Sequence, residues 1–146
     1  TENIRPYGIA KHRHQPQIAS QLSARAGEAS PIVFSPHLLP IARGLLSTCY
    51  VDVGADVDVA GLFRARYAGE PFVRLLEDGA MPEPRAVRGT NMVELAWVRE
   101  AETGRLVVVA AIDNLGKGAA GQAVQNFNCM IGVAETTGLD LLPALP

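Results

Sequence analysis

Residues 106–126, LVVVAAIDNLGKGAAGQAVQN, contain the pattern that decides the fold of this chain. The first seven residues, Leu106–Ile112, form an uninterrupted apolar run with the length of a strand. Asp113 and Asn114 end the run, and apolar residues then follow at helical spacing over residues 117–133. The stretch therefore predicts a strand that leads directly into a helix, across a junction rich in glycine and alanine.

The rest of the sequence predicts further strands and helices around this unit. Residues 91–100 and 105–112 flank AETG, a short connection that favours an antiparallel hairpin. Helices are predicted at residues 14–26, at 59–68 after an Asp58 cap, and at 117–133. Strands are also predicted at residues 4–10, 32–34, 41–53 and 71–76, and a loop at 78–90. This order predicts an α+β fold in which helices cover a mixed or antiparallel sheet.

Two packing predictions follow from the apolar segments. The last helix is expected to bury one apolar face, which consists of Ala120, Ala123, Val124, Phe127 and Ile131. The two cysteines, Cys49 and Cys129, lie in apolar segments far apart in the sequence. We expect both to be reduced, buried packing residues, as in a cytoplasmic protein.

The composition argues against several classes of function. The 146 residues have the length of about one domain, and their formal net charge of −2 does not favour binding to nucleic acid or to an anionic membrane. No apolar run approaches the roughly 18 residues of a membrane span. The cysteines and histidines lack the spacing of a metal site. We therefore expect a cytoplasmic protein with no metal centre.

Two of the three histidines, His12 and His14, lie together in KHRHQP, just before the first predicted helix. One interpretation is a solvated basic turn. The other is a catalytic imidazole near a helix N-terminus, able to transfer a proton near neutral pH. His37, between Pro36 and Leu38, is expected to be a hydrogen-bonded structural residue.

The junction after the strand also has two interpretations. Its glycines and alanines allow a ligand to approach the backbone, and free amides at a helix start suit an anion or an amide oxygen. Asn114 would then offer both a donor and an acceptor. Alternatively, the helix packs tightly on the sheet and Asn114 is its cap. The Gly-x4-Gly-Lys-Ser/Thr pattern of a P-loop is absent.

Three segments in order, KHRHQPQI, FSPHLLPIARGLLSTCYV and DNLGKGAAGQAVQN, together resemble the N-acetyl-gamma-glutamyl-phosphate reductase family, NADPH-dependent enzymes of arginine biosynthesis. The resemblance covers residues 6–139. It implies a fold like the C-terminal domain of glyceraldehyde-3-phosphate dehydrogenase. The last segment alone would indicate only the wider group that includes aspartate-semialdehyde dehydrogenase.

The resemblance implies a role for particular residues. In this family a cysteine thiolate displaces phosphate from an acyl phosphate, and NADPH reduces the thioester to a semialdehyde, with a histidine as acid/base. That histidine maps onto His14, with His12 as its companion. Asn114 matches the asparagine that binds the nicotinamide end of NADP, and Lys117 and Gly118 are further cofactor-side candidates on the same turn.

Two more residues are candidates for the substrate side. Arg43 could face the substrate or its phosphate, although a structural ion pair is an equally good interpretation. Gln17 stands where the family usually has glutamate, so a polar contact is retained without the negative charge.

Two features of the family are not found in this sequence: a nucleophile motif like PGCY, and the glycine-rich turn of a Rossmann domain. The resemblance therefore implies a C-terminal part that lacks most of the Rossmann half, whose partners would be the N-terminal NADP-binding half and a small-molecule substrate. Residues 1–113 would form the substrate and dimerisation domain of a homodimer or homotetramer. Residues 114–146 would pack on the NADP-binding domain.

Two alternatives remain open from the sequence. One is a related semialdehyde dehydrogenase that acts on an aspartate or a lysine-pathway aminoadipyl substrate. The other is a non-catalytic oligomerisation module, which the missing cysteine motif favours.

Overall fold

The computed structural model describes residues 2–77 and 79–143. The chain divides into two compact units, Thr1–Ala42 and Arg43–Pro146. Each unit is described by itself below.

The first unit contains one helix and a small two-stranded sheet. Strand β1 (Arg5–Pro6) pairs antiparallel with β2 (His37–Leu38), and helix α1 (His14–Ala26) lies between them in the sequence. The helix has the predicted bounds and ends at Gly27, whose φ of +76° is the left-handed conformation that favours glycine.

The strand predicted at residues 32–34 is wrong, because that segment has no regular secondary structure. Pairing occurs instead at β2, which lies between Pro36 and Pro40. The strand predicted at residues 4–10 is shortened to β1, since the chain turns at Gly8 and Ala10, both of which have positive φ.

The second unit is built on a four-stranded sheet. Its elements in chain order are β3 (Leu45–Val51), α2 (Val59–Tyr67), β4 (Val73–Leu75), α3 (Pro84–Val87), β5 (Val93–Arg99), β6 (Leu106–Ile112), a π-helical turn (Gly116–Ala120) and α4 (Gly121–Met130). The strand order is β3-β6-β5-β4, with β4 parallel to β5 and the other pairs antiparallel. The predicted α+β class with a mixed sheet is confirmed.

Local signals position several of these elements as predicted. In the hairpin, Val93 lies opposite Ile112 and Arg99 opposite Leu106. Helix α2 begins after Asp58, whose Oδ1 accepts a hydrogen bond of 2.9 Å from the Gly61 amide. Helix α3 falls inside the predicted loop, because proline fits the first turn of a helix, where its missing N–H costs nothing.

The predicted strand at residues 41–53 begins only at Leu45. The preceding residue, Gly44, has a φ of +127°, which an L side chain rarely adopts. A Cβ at Gly44 would also lie 2.6 Å from the Cβ of Pro84. Glycine is therefore required here, and the backbone enters β3 through this turn.

The two faces of the sheet differ in their cover. On one face the Phe63 ring of α2 stacks on Trp97 of β5, with centroids 4.7 Å apart and an angle of 7° between the planes. The opposite face carries Leu46 and Tyr50 of β3 and Val98 of β5, which are 51%, 71% and 46% exposed. Leu45 and Val51 of β3, on the first face, are 46% and 42% exposed, so exposed apolar side chains occur on both faces at this edge strand.

The predicted buried face of the last helix is wrong. Helix α4 buries Gln125 and Asn128, whereas Phe127 and Ile131 are 57% and 55% exposed. The other members of the predicted face, Ala120, Ala123 and Val124, are exposed as well. The polar side faces inward because Asn128 Nδ2 donates hydrogen bonds to the carbonyls of Glu135 and Thr137, in the segment that follows the helix.

The prediction that both cysteines are buried is also wrong. Cys49 lies on the edge strand β3 and Cys129 on α4, and both are free and exposed. Both lie on elements whose apolar side chains are largely uncovered. Of the helices that the structure describes, none combines the length and the apolar character needed to cross a membrane.

Candidate functional site

The junction after β6 is organised around Asp113, whose side chain is fully buried. Arg43 Nε lies 2.7 Å from Oδ1 and 2.6 Å from Oδ2 of this carboxylate. Oδ1 also accepts hydrogen bonds from the amides of Leu115 (2.8 Å) and Gly116 (3.0 Å), and Oδ2 accepts one from the Gly89 amide. One carboxylate thus holds three separate backbone segments together.

These contacts determine the ionisation of Asp113. Burial by itself would raise the pKa of the carboxyl group, because it disfavours the charged form. The Arg43 guanidinium and the three backbone amides outweigh burial and lower the pKa to about 2. Asp113 is therefore an anion at neutral pH, and its charge is compensated inside the protein.

Asn114 is the next residue, and its side chain is exposed. The Gly44 amide donates a hydrogen bond of 2.7 Å to Asn114 Oδ1. The carboxamide is therefore tied to the turn that precedes β3, while its Nδ2 remains a donor group at an exposed position. The alternative in which Asn114 caps the following helix is wrong, because Asp113 accepts from the first amides of that turn instead.

The same contacts change the expectation of free amides at the helix start. The Leu115 and Gly116 amides are bound by the Asp113 carboxylate, and the Gly118 amide donates to the Asp113 carbonyl at 2.9 Å. An external anion would have to compete with these internal acceptors. The junction therefore offers an exposed carboxamide rather than a set of free backbone amides that could bind an anion.

The glycines of the junction have a packing cause. A Cβ at Gly116 would collide with the carbonyl oxygen of Thr90, and one at Gly121 would collide with Asn91 Oδ1. At Gly118 the Cβ would lie 3.3 Å from Ile112 Cδ1, which is tight but not a collision. Close packing thus accounts for Gly116 and Gly121, whereas Gly118 is exposed and could also face a ligand.

Lys117 is directed toward the protein. Its Nζ donates a hydrogen bond of 2.7 Å to Gln125 Oε1 and lies 5.3 Å from the centroid of the Phe72 ring. Burial lowers the pKa of Lys117, while the carboxylates of Glu135 and Glu70 act in the opposite direction. The ammonium is therefore engaged within this unit, and a cofactor contact through Lys117 stays a prediction.

The two candidate histidines lie at the start of α1, in the first unit. The His14 amide donates a hydrogen bond of 3.2 Å to His12 Nδ1, so that neutral His12 carries its proton on Nε2. The His12 ring packs edge-on against Tyr7, His14 and Phe34, at centroid distances of 5.3, 4.7 and 5.2 Å. His14 itself is exposed. Within the unit, His12 is oriented by its neighbours and His14 is the more accessible imidazole.

The remaining candidates have different surroundings. Arg43 forms the ion pair with Asp113, which was the alternative to its predicted substrate role. Gln17 is exposed on α1. His37 Nδ1 lies 3.0 Å from the Ser35 carbonyl oxygen, as expected for a structural histidine. Among the described residues there is no group of histidines, cysteines and carboxylates that could hold a metal ion.

Sequence reasoning missed two residues of this site. The sequence pattern predicts Asp113 only as the residue that ends a strand, although a carboxylate after seven apolar residues signals a buried charge that needs a partner. Gly44, in the segment IARG, contributes a backbone amide, and nothing in the side-chain pattern marks such a donor.

Comparison with known proteins gives consistent results. The family described as "Semialdehyde dehydrogenase, dimerisation domain" matches residues 1–114. N-acetyl-gamma-glutamyl-phosphate reductase of Laribacter hongkongensis is 49% identical over 146 residues, covering 100% of this chain and 43% of the relative. The enzyme of the same name from Moorella thermoacetica is 49% identical over 143 residues, covering 96% of this chain and 41% of the relative.

Solved structures support the fold. The crystal structure of aspartate semialdehyde dehydrogenase II from Vibrio cholerae matches with a TM-score of 0.65 and 18% identity, over 82% of this chain and 37% of that chain. The chain spans less than half the length of these relatives. The curated relatives near 49% identity carry the name N-acetyl-gamma-glutamyl-phosphate reductase, and the family model covers more than half of this chain. The chain therefore belongs to the semialdehyde dehydrogenase dimerisation-domain family.

Proposed function

We propose that this chain contributes the acid/base histidine and the nicotinamide-facing asparagine of an NADP-dependent reductase. The reaction would convert N-acetyl-glutamyl 5-phosphate to N-acetyl-glutamate 5-semialdehyde and phosphate, a step of arginine biosynthesis. The observation that carries the proposal is the exposed Asn114 carboxamide, which is hydrogen-bonded to the Gly44 amide at a junction rich in glycine and alanine. The names of the relatives support the reaction class.

The residues of the junction fit the nicotinamide end of NADP. With Oδ1 bound to the Gly44 amide, Asn114 keeps a donor that suits a carboxamide oxygen. Gly118 and Ala119 beside it are exposed and leave room for a flat ring. NADPH, when bound, would supply the hydride that reduces the thioester. Asn114 would orient the ring, with Gly118 and Lys117 as further cofactor-side residues.

In the proposed reaction a cysteine thiolate from the N-terminal half attacks the acyl phosphate, and phosphate leaves as the thioester forms. His14 would take the proton of the thiol, and would later protonate the oxygen of the hemithioacetal. His12 cannot accept a proton at Nδ1 without losing its bond to the His14 amide. We therefore assign His14 as the acid/base and His12 as its positioning neighbour.

The substrate-side candidates stay proposals as well. Gln17, exposed on α1, would supply a polar contact to the substrate. Arg43 would act on the substrate or its phosphate only with the guanidinium atoms that its bond to Asp113 leaves available. A cytoplasmic location also stays a prediction.

We also propose that the chain assembles through two surfaces. The exposed sheet residues Leu46, Tyr50 and Val98 would contact a second copy in a homodimer or homotetramer, in keeping with the dimerisation family. The apolar side of α4 would pack on the NADP-binding half, so that residues 114–146 belong functionally with that half.

Tyr50→Asp should reduce the mass of the assembly in light scattering, whereas Glu102→Lys in the exposed hairpin turn should not. An unchanged mass for Tyr50→Asp would reject the sheet interface.

The activity is tested by mixing this chain with a polypeptide that carries the N-terminal half. We expect phosphate-dependent reduction of NADP with N-acetyl-glutamate semialdehyde, and a loss of about 100-fold or more for His14→Ala. His37→Ala is the matched control and should retain activity, since the hydrogen bond of the His37 ring goes to the Ser35 carbonyl two residues away. If the unmodified chain gives no activity with any complementary half, the non-catalytic module is the better interpretation. Activity with aspartate or aminoadipate semialdehyde instead would favour a related dehydrogenase.

A further inference from the structure

The interactions around Asn114 fix which of its atoms is presented to a ligand. Asn114 Oδ1 is used by the Gly44 amide at 2.7 Å, and a backbone amide can only donate. A rotation of the carboxamide by 180° would place Nδ2 against this amide, with two donors facing each other. The arrangement therefore favours Nδ2 as the outward atom by about the value of one hydrogen bond.

The Gly44 amide is itself held in place by the buried carboxylate. Asp113 binds Arg43, the residue before Gly44, and also the amides of Leu115 and Gly116 on the other side of Asn114. Pro84 lies close to residue 44, so that a Cβ there would be 2.6 Å from the Cβ of Pro84. The contacts of the buried Asp113 carboxylate therefore hold in place the residues on both sides of the hydrogen bond between the Gly44 amide and the Asn114 carboxamide.

We propose that Asp113 is a positioning residue that commits Asn114 to donate a hydrogen bond to a carbonyl oxygen of its ligand. The inference rests on the proposed function, in which that ligand is the carboxamide of the nicotinamide ring. Asn114 then recognises the oxygen of the carboxamide and not its amino group. The direction of this hydrogen bond is a property of the protein before the cofactor binds.

The test compares two variants and two cofactors in the enzyme reconstituted with the N-terminal half. Asn114→Asp keeps an acceptor for the Gly44 amide but replaces the outward donor with an acceptor, and Asn114→Ala removes both. The reduced 3-acetylpyridine analogue of NADP keeps the carbonyl oxygen of the ring substituent and lacks its amino group. Binding is followed by fluorescence titration with the reduced cofactors, whose rings carry no charge.

We expect Asn114→Asp to weaken NADPH binding at least as much as Asn114→Ala, by about tenfold. The unmodified enzyme should bind the acetylpyridine analogue within about threefold of NADPH. The opposite pattern, in which Asn114→Asp binds NADPH normally and the analogue binds about tenfold more weakly, would overturn the inference while leaving the proposed function intact. NADPH binding that neither variant changes would also overturn it. If the unmodified enzyme does not bind NADPH, the proposed function itself fails.

Asp113→Asn tests the positioning role. Asp113→Asn weakens the contacts that hold the Gly44 amide, so that the Asn114 carboxamide can rotate. The ratio of the affinities for NADPH and for the analogue should then change toward the value expected of a carboxamide that presents either of its two atoms to the ligand. A purely structural role would weaken both cofactors equally and would overturn the role of Asp113. If Asp113→Asn does not fold, the Asn114 variants still decide the direction of the hydrogen bond.

Discussion

The turn after β6 and helix α4 are neighbours in the sequence, yet they differ in which of their side chains are buried and in how the buried polar groups are hydrogen-bonded. In the turn, a charged carboxylate is buried and saturated by Arg43 and three backbone amides. In α4, Phe127 and Met130 are 57% and 82% exposed, while Asn128 is buried. Contacts within this unit therefore account for the shape of the turn, whereas the outer side of α4 is exposed and available to a second surface.

The largest expected effect breaks the turn. Asp113→Ala should lower the free energy of unfolding by about 3 kcal/mol, because three backbone amides and Arg43 lose their acceptor in a buried place. Urea unfolding of the chain measures the change. Glu83→Ala is the control, because it removes one partner of the exposed ion pair with Arg85. It should change the free energy of unfolding by no more than about 0.5 kcal/mol. A loss below about 1 kcal/mol for Asp113→Ala would show that the carboxylate does not hold the turn.

Acid should weaken the turn selectively. The pKa of Asp113 is about 2 in the folded chain against an ordinary 3.8, so the stabilisation is present above the ordinary value and disappears as the pH falls toward 2. The difference in stability between the unmodified chain and Asp113→Asn should therefore shrink by about 2 kcal/mol between pH 5 and pH 2. Urea titrations at several pH values measure it. A constant difference over this range would contradict the assigned ionisation.

The inward side of α4 should tolerate little change. Asn128→Ala removes two hydrogen bonds to the carbonyls of Glu135 and Thr137 and should cost about 1.5 kcal/mol. Thermal unfolding provides the measurement. Asn126→Ala, at an exposed position of the same helix, is the matched control. Equal effects of the two substitutions would show that the polar side of α4 does not anchor the segment after it.

The outward side should give the smallest effect on the chain by itself. Phe127→Ser should change the free energy of unfolding by no more than about 0.5 kcal/mol, because the ring is already largely in solvent. A change of 2 kcal/mol or more would mean that Phe127 packs within this chain, and would remove the contrast with Asn128. A pull-down with the N-terminal half then tests whether the outward side of α4 binds that half. In this experiment Phe127→Ser should bind more weakly than the unmodified chain.

Periodicity and turn chemistry predicted the fold where local signals decide it. The hairpin, helix α1 and the Asp58 cap of α2 all follow from residues close in the sequence. The ends of strands were less predictable, because they depend on distant atoms. At the start of β3, for example, Pro84 leaves no room for a side chain at residue 44, although the two residues are forty positions apart.

The candidate site was predictable only in part. Asn114, His14 and His12 came from resemblance, and their chemistry was evident from residue type. The arrangement around Asn114 depends on an ion pair and an amide contact, Arg43–Asp113 and Gly44–Asn114, each separated by 70 residues. The orientation of α4 was mispredicted because the helical pattern locates an apolar face without saying which molecule covers it.

The side chain of Gln125 couples three segments of the second unit through its hydrogen bonds. Its Oε1 accepts from Asn91 Nδ2 and from Lys117 Nζ, and its Nε2 donates to Glu135. One buried amide thus links the start of β5, the π-helical turn and the segment that follows α4. None of the three segments can separate from the others without breaking a hydrogen bond to the Gln125 side chain. They should therefore open as a single cooperative unit in hydrogen exchange. A movement of the π-helical turn would then be transmitted to the segment that follows α4.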